Sequence, residues 1–421
     1  MDLAPLALVG TGILGYGLIS KRAEDSVLTP PIFFVGVGVA AAALGLVHGH
    51  LDGHLLHLLA EVTLVLVLFT DASRIGLPRL RREHDLPVRL LVVGMPLTIG
   101  LGTLLAAWSF PQFTLWQAAL LAAVLAPTDA ALGQAVVSSP KVPVRIRQAL
   151  NVESGLNDGI ALPLVLLFLS ACSSAVPGQG GTEYWMRFAA LQVTLGPLVG
   201  VAVGWAGSRA VDRAVRTGWM SATFAHLSSL GLALLAFAGA EAVGGNGFIA
   251  AFVAGLTLGN VCSEGLKEQL HEFAEAEGQL LTLLVFLIFG GLMVPDALAT
   301  IGPKAIVFGV LALTVMRMLP VAISLIGTGL RWPTVAFLGW FGPRGIASVL
   351  FGLLVVESSI LEPKEELFSI VVVTVLLSVV AHGLTANPLS NAYARYLESR
   401  RDIGEEHQDV TDHRVRIRHA R

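Results

Sequence analysis

The chain has 421 residues, of which 54% are hydrophobic and only 14% charged, and its formal net charge is −3. An ordinary soluble domain is about 25% charged, so a soluble fold could not bury this much apolar surface. The composition predicts an integral membrane protein, and the few charges form no basic patch that would indicate a nucleic-acid partner. The sequence shows no nucleotide motif, nucleophile–base set or metal-ligand spacing, so it predicts neither an enzyme nor a bound cofactor.

Thirteen apolar segments appear when the chain is cut at its polar and Gly/Pro-rich breaks. Most are close to the roughly 20 residues that cross a bilayer as a helix. They predict an all-α polytopic membrane protein of about 13 transmembrane helices. The segments lie near 3–20, 30–48, 54–75, 88–108, 115–138, 146–172, 186–211, 222–243, 246–262, 277–297, 301–328, 333–357 and 366–390.

Lysine and arginine set the expected orientation. Most of the 27 basic residues fall in alternate loops and in the C-terminal tail, and cytoplasmic loops are the ones that carry positive charge. We therefore expect a multi-pass protein of the cell inner (plasma) membrane with its N-terminus outside and its C-terminus in the cytoplasm. Residues 391–421 read as a short cytoplasmic tail, and 263–278 as an amphipathic helix along the inner surface.

Two of the segments carry helix-breaking residues at mid-depth. Pro127 removes a backbone donor from 115–138, and Gly342-Pro343-Arg344-Gly345 interrupts 333–357. The two segments are seven apart, so they enter the membrane from opposite sides. This pattern predicts inverted repeats with two broken crossing helices. The simpler alternatives are a proline kink in the first segment and a loop edge in the second.

Breaking two helices in the membrane exposes positive N-terminal and negative C-terminal ends, each equivalent to about half a charge. Asp129 is suited to neutralise the N-terminal ends, and Arg344 is suited to neutralise the C-terminal ends. We predict a structural-electrostatic role for both residues.

The segment 146–172 carries the predicted ion site. Ser154 and Asp158 are four residues apart and share one helix face, with Asn157 beside them. Together with Thr128 of the broken helix, they offer the oxygen ligands that a hard monovalent cation, Na⁺ or K⁺, requires. A carboxylate at that depth demands a partner or a function. One carboxylate holds either a proton or a cation, so competition at Asp158 predicts electroneutral 1:1 exchange.

Other charged groups lie within apolar segments. Glu153 and Arg317 reach similar depths, and we predict an ion pair between them; the alternative is that each faces water separately. Asp71 near the inner end of 54–75 is either an access-path carboxylate or an interfacial charge screened by Arg74. Glu61 and Glu241 also lie within apolar runs, and the sequence names no partner for either; His382 is either a polar residue at a helix end or a proton relay.

The sequence strongly resembles the cation/proton antiporters of the NhaP and NHE type. The matching stretches recur in order along the membrane portion: APTDA (126–130), NVESGLNDG (151–159), NGFIAAFVAGLTLGN (246–260), FGPRGIASVLF (341–351) and VVAHGLTANPL (379–389). The resemblance makes Asp158 the cation/proton carboxylate, with Ser154 and Thr128 as co-ligands. The pair Asn157-Asp158 is similar to the signature of the electroneutral branch. The sequence departs from the family pattern at two positions. One is Asp71, and the other is Asn246, where a Ser is usual.

The resemblance also implies a homodimer and alternating access. In this reading, residues 1–390 form the transmembrane domain, with a core from the spans near 54–172 and 277–390 and a dimerisation part from the remaining spans. Two other classes compete. An ion-coupled organic-acid symporter on a similar inverted-repeat fold would need a solute cavity, and a non-transporting receptor would have lost Asp158.

Overall fold

A computed structural model describes residues 4–23, 26–46, 53–80, 85–174, 182–263, 278–357, 364–399 and 406. All the regular secondary structure of these residues is helical. Besides a single helical turn at Leu77–Leu80, the helices are α1 (Ala4–Ala23), α2 (Pro30–Ala43), α3 (Gly53–Ser73), α4 (Asp85–Ser109), α5 (Leu115–Val124), α6 (Ala130–Val137), α7 (Val144–Ser174), α8 (Thr182–Arg216), α9 (Ala222–Ala242), α10 (Gly247–Val261), α11 (Gly278–Thr300), α12 (Pro303–Leu313), α13 (Val315–Ser324), α14 (Trp332–Trp340), α15 (Ile346–Glu357) and α16 (Lys364–Glu398).

Each predicted segment coincides with one helix or with an interrupted pair, so the all-helical, multi-pass membrane fold is confirmed. Among the described residues, seven helical stretches are long and apolar enough to cross a bilayer by themselves, and four shorter apolar helices accompany them. The breaks expected near Pro127 and at 342–345 separate α5 from α6 and α14 from α15.

The sequence missed several features. The segment 301–328 is interrupted at Thr314, whose φ of −104° and ψ of −85° are not helical. Helices α4 and α11 contain π-helical stretches, Arg89–Gly94 and Phe289–Met293. Helix α16 extends to Glu398, so the predicted tail from 391 begins as helix. The predicted amphipathic helix at 263–278 lies almost entirely outside the described residues, as does most of the tail.

Packing divides the chain into two compact units. One comprises Met1–Leu51, Asp85–Asn157 and Leu283–Arg421, and the other comprises Asp52–His84 and Asp158–Thr282. The boundary falls within α7, between Asn157 and Asp158. These limits differ from those of the predicted core and dimerisation parts, which stay a prediction.

In the second unit, glycines let helix backbones approach closely. Helix α8 meets α10 along Gly196, Gly200 and Gly204, and a Cβ at Gly200 would lie 2.5 Å from the Ala250 carbonyl oxygen. Small residues at such spacing are what lets helices associate in lipid, where no hydrophobic force drives them together. The side chain of Asn246 caps α10 by accepting from the Ile249 N–H at 2.9 Å, a role that Ser and Asn both perform.

In the first unit, α16 runs beside α12 and α15 and also contacts α6 and α14. A buried apolar cluster joins α6, α14 and α16 to α7 and α13. Phe337 of α14 stacks on Tyr393 of α16 with ring centroids 4.4 Å apart, and Ile146 and Val321 pack in the same cluster. The cluster fixes α14 against α16 on the side where α14 begins.

The N-terminal end of α14 is capped from the tail. The Arg331 N–H and the Thr334 hydroxyl donate to Glu406 Oε1 at 3.1 and 3.0 Å. Glu406 is only 1% exposed. Burial by itself raises the pKa of the Glu406 carboxyl, but the hydrogen bonds and the Arg331 charge outweigh burial and lower that pKa from its ordinary value.

Glu406 should therefore stabilise the fold when ionised. A group whose folded pKa is lowered contributes stability above its ordinary pKa and loses it as pH falls through the lowered value. We expect Glu406→Ala to cost about 1 kcal/mol at pH 7, the usual value of a helix cap. The difference from wild type should shrink below about pH 4. Thermal unfolding in detergent across this pH range measures both effects. Glu398→Ala, which removes an exposed carboxylate, is the control, and an equal loss in it would contradict the cap.

Candidate functional site

The first helix break is built around Pro127 and Asp129. Helix α5 ends at Val124 with Leu125 as its C-cap, and α6 begins at Ala130. Pro127 has no N–H to continue the α5 hydrogen-bond ladder. Asp129 then acts as an N-cap, since its Oδ1 accepts from the Leu132 N–H at 3.1 Å. The short stretch between the two helices is buried.

The second break joins the first through backbone and side-chain hydrogen bonds. The Asp129 N–H donates to the Pro343 carbonyl at 2.8 Å, and Asp129 Oδ2 accepts from the Ile346 N–H at 2.7 Å. Ile346 is the first residue of α15. One carboxylate therefore binds the N-terminal ends of both α6 and α15, where the helix dipoles favour negative charge.

Arg344 interacts with the negative, C-terminal end of a broken helix. Its side chain is 0% exposed, and its guanidinium donates to the carbonyls of Ala126 and Pro127, the latter at 3.1 Å. These carbonyls lie just beyond the C-terminal end of α5, where partial negative charge accumulates. The guanidinium is thus compensated by backbone carbonyls.

The two glycines of the second break each make room for one charged side chain. A Cβ at Gly345 would overlap the Asp129 carboxylate, and a Cβ at Gly342 would overlap the Arg317 guanidinium. The sequence indicated a helix interruption here. The structure adds that glycine is required for close approach at both positions, because any larger residue would displace a buried charge.

Glu153 and Arg317 form a buried bidentate ion pair. Arg317 Nη2 donates to Glu153 Oε2 at 2.8 Å, and Nη1 donates to Oε1. Each residue is 3% exposed. The planar guanidinium fork matches a carboxylate and offsets the large desolvation cost that each charge would carry alone. The structure therefore places together the two charges that the sequence suggested as a pair.

Thr128, Ser154 and Asn157 form a hydrogen-bonded group of buried polar side chains. Thr128 Oγ1 lies 3.0 Å from Ser154 Oγ and accepts from Asn157 Nδ2 at 2.6 Å. Asn157 Oδ1 is buried without a hydrogen-bond partner among the described residues. The amide nitrogen thus orients Thr128 and leaves a carbonyl oxygen available as a further ligand.

A small cleft reaches this group. It combines three polar side chains with an apolar wall, and its lining comprises Asp129, Gly133, Val136, Val137, Leu150, Asn151, Ser154, Phe341 and Pro343. Ser154 therefore faces an opening as well as the Thr128 hydroxyl. Such an arrangement suits a small, partly hydrated ion better than a large organic solute.

Asp158 and Asp71 belong to the other packing unit. Asp158 is the residue after Asn157 on α7 and is 7% exposed, and Asp71 is half-buried near the end of α3. Glu241, to which the sequence assigned no role, accepts from the Gly247 N–H at 2.8 Å and so caps the start of α10.

Sequence reasoning missed the contribution of α16 to the second break. Ser378 Oγ accepts from the Arg344 N–H at 2.7 Å, and His382 Nε2 lies 2.9 Å from the Trp340 carbonyl. A signal was present, because Ser378 and His382 are four residues apart and polar in an otherwise apolar helix.

The chain is similar in sequence to known transporters. The family described as "Sodium/hydrogen exchanger, transmembrane" matches residues 9–392. A K(+)/H(+) antiporter NhaP of Alkalimonas amylolytica is 27% identical over 384 residues, which cover 89% of this chain and 63% of that protein. A Na(+)/H(+) antiporter of Schizosaccharomyces pombe is 25% identical over 443 residues, which cover 92% of this chain and 91% of that protein.

The fold is also similar to a solved one. The sodium proton antiporter MjNhaP1 from Methanocaldococcus jannaschii superimposes with a TM-score of 0.77 at 17% identity, covering 94% of this chain and 100% of that chain. A second structure of the same protein gives a TM-score of 0.74 at 16% identity, covering 92% of this chain and 97% of that one. By contrast, the chain spans about three fifths of the length of the bacterial NhaP and NhaP2 relatives it matches. The NhaP2 antiporter of Shewanella oneidensis, for example, is 25% identical over 84% of this chain and 60% of that protein.

The close approach of Gly345 to Asp129 is directly testable. We expect Gly345→Ala to lower the unfolding temperature, because the added methyl group would push the Asp129 carboxylate away from the Ile346 N–H. Overpacking of this kind typically costs about 1–3 kcal/mol. Gly133→Ala is the matched control, since a Cβ there has open space within 4 Å. Thermal unfolding of both variants in detergent measures the difference, and equal stability of the two would refute this packing.

Proposed function

The chain belongs to the sodium/hydrogen exchanger family of transmembrane proteins, and on that premise we propose that it exchanges a monovalent cation, Na⁺ or K⁺, for protons across the membrane. Relatives that match over most of this chain are named as K(+)/H(+) and Na(+)/H(+) antiporters. Members of this kind are transporters rather than enzymes. The observation that carries the proposal is the buried hydrogen-bonded group of Thr128 with Ser154 and Asn157 of α7, the helix on which Asp158 follows Asn157.

Asp158 is the proposed exchange group. Positions four apart on a helix share a face, so the Asp158 carboxylate and the Ser154 hydroxyl of α7 are expected to serve one ion. Thr128 Oγ1 and the unpaired Asn157 Oδ1 supply further oxygens. Hard monovalent cations bind such oxygen sets, and a proton competes with the cation for the same carboxylate.

The charged groups of the two breaks are proposed to shape the site without binding the ion. Asp129 accepts from N–H groups at two helix starts, Arg344 donates to carbonyls beyond the end of α5, and Glu153 is paired with Arg317. We assign the change of charge in the cycle to Asp158 alone, as the resemblance implies. Swapping one cation for one proton then moves no net charge, which makes the exchange electroneutral, 1:1.

The remaining parts of the proposal follow from the resemblance and the charge pattern. Alternating access exposes the site to each side in turn, and the protein acts as a homodimer in the inner membrane with its N-terminus outside and its C-terminus in the cytoplasm. The core is formed by the spans near 54–172 and 277–390, which move against the dimerisation part. Asp71 is proposed to attract cations along the access path.

Asp158→Asn should abolish exchange, because an amide takes up no proton at cellular pH and carries no negative charge to balance the bound cation. Proton movement is measured in proteoliposomes with an internal pH dye after addition of Na⁺, K⁺, Li⁺ or choline. Asp296→Asn, which alters an exposed carboxylate of α11, should exchange as wild type does. Activity in Asp158→Asn would overturn the assigned site. Wild type that is silent with every monovalent cation would overturn the antiporter and leave an organic-acid symporter as the function to test.

Electroneutrality has a separate test. Because one positive charge replaces another at Asp158, clamping the membrane potential of the same proteoliposomes with valinomycin and equal K⁺ on both sides should leave the initial rate of Na⁺-driven proton movement unchanged. A rate that rises or falls severalfold with the imposed potential would show that net charge moves. The stoichiometry would then differ from 1:1 even if Asp158 is the exchange group.

A further inference from the structure

Helix α16 contacts both sides of the break between α14 and α15. Ser378 and His382 lie one turn apart on the face that meets the break, and both are buried, His382 being 1% exposed. His382 reaches the carbonyl of Trp340, the last residue of α14, at 2.9 Å. Ser378 reaches the N–H of Arg344, two residues before α15, at 2.7 Å.

Both ring nitrogens of His382 contact polar atoms. Nε2 lies 2.9 Å from the Trp340 carbonyl, which can only accept a hydrogen bond. Nδ1 lies 3.0 Å from the Ser378 carbonyl and 3.1 Å from Ser378 Oγ. Ser378 Oγ in turn accepts from the Arg344 N–H. The result is a continuous series of polar contacts from the end of α14 to the start of α15.

This series of contacts bears on the candidate ion site through Arg344. The Arg344 side chain holds the Ala126 and Pro127 carbonyls of the first break, and Thr128 follows Pro127 directly. Fixing the Arg344 backbone therefore fixes the carbonyls next to Thr128, the residue that pairs with Ser154.

We propose that Ser378 and His382 are positioning residues that hold the Arg344 backbone across the helix break and thereby keep the Thr128 hydroxyl in place for cation binding. This inference rests on the proposed exchange function and deepens it, since it assigns to α16 a part in the affinity for the ion. Neither residue contacts the ion itself.

Helix α16 also provides a matched control. The Trp340 indole stacks on His382 and donates to Thr385 Oγ1 at 2.9 Å. Thr385→Val removes a hydrogen bond between the same two helices but leaves the series of contacts to Arg344 intact. A purely structural role of α16 would make Thr385→Val resemble the other variants, whereas a positioning role would set it apart.

The test is the dependence of the exchange rate on Na⁺ and K⁺ concentration in proteoliposomes. Ser378→Ala removes the partner of the Arg344 N–H and should raise the apparent KM for the transported cation about tenfold, the effect of one lost hydrogen bond. His382→Leu removes the contact with the Ser378 hydroxyl and should raise the apparent KM about fivefold. In both variants kcat should change much less than KM, because the lost interaction acts on cation binding.

Two further variants sharpen the result. His382→Gln keeps a polar group that can donate to the Trp340 carbonyl and contact Ser378, so its KM should stay within about twofold of wild type. The double variant of Ser378→Ala and His382→Leu should resemble Ser378→Ala alone, because both changes break one series of contacts. Unfolding temperatures of all variants, measured in detergent, report whether each one folds.

Several outcomes would overturn the positioning role. One is a KM in Ser378→Ala and His382→Leu equal to that of Thr385→Val; another is a His382→Gln variant as impaired as His382→Leu. If Ser378→Ala or His382→Leu fails to fold, the proposal is tested with His382→Gln and with Ser378→Thr, which keeps the hydroxyl. Their KM values are expected within about twofold of wild type. Larger shifts contradict the proposal. Failure of the proposed function is distinct, since wild type itself would then move no protons.

Discussion

The site depends on the mutual neutralisation of two interrupted helices. A helix that stops inside a membrane leaves backbone N–H and C=O groups unsatisfied, where no lipid group can bind them. Here each break satisfies the other. Asp129 from the first break binds the N–H groups of α6 and α15, and Arg344 from the second break binds the Ala126 and Pro127 carbonyls. Each break thus supplies hydrogen-bond partners to the other.

This reciprocity places strict limits on the residues around it. Gly345 and Gly342 stand where a Cβ would overlap the Asp129 carboxylate and the Arg317 guanidinium. The charges and the glycines therefore form one constraint, because the electrostatic pairing is available only if the backbones touch. The same principle operates elsewhere in the chain, where glycines of α8 bring its backbone against α10, but there the close approach serves helix packing alone.

The buried charges that are offset by helix ends or ion pairs differ in role from the one charge that is proposed to change during transport. Asp129, Arg344, Glu153 and Arg317 are buried and held by partners of opposite charge or by helix ends. A buried carboxylate that is fully paired resists protonation, because losing its charge would leave its partner uncompensated. An exchange group needs the opposite property, which is a carboxylate whose charge is balanced by the transported ion. In the proposed cycle, Asp158 is the carboxylate that takes this part.

The sequence by itself determined the membrane class, the position of nearly every helix and the two broken segments, because hydropathy, proline and glycine act locally along the chain. It also nominated Glu153 with Arg317 and Thr128 with Ser154, since charged and polar groups at membrane depth need partners. It could not show the Thr314 interruption or the π-helical stretches, for which no residue type is diagnostic. Only the tertiary structure decided that Gly342 and Gly345 face charges and that Ser378 and His382 bridge the second break. These features arise from close contacts between segments distant in the sequence. The four-residue spacing of Ser378 and His382 indicated a polar helix face, but a spacing within one helix does not identify the segment that the face meets.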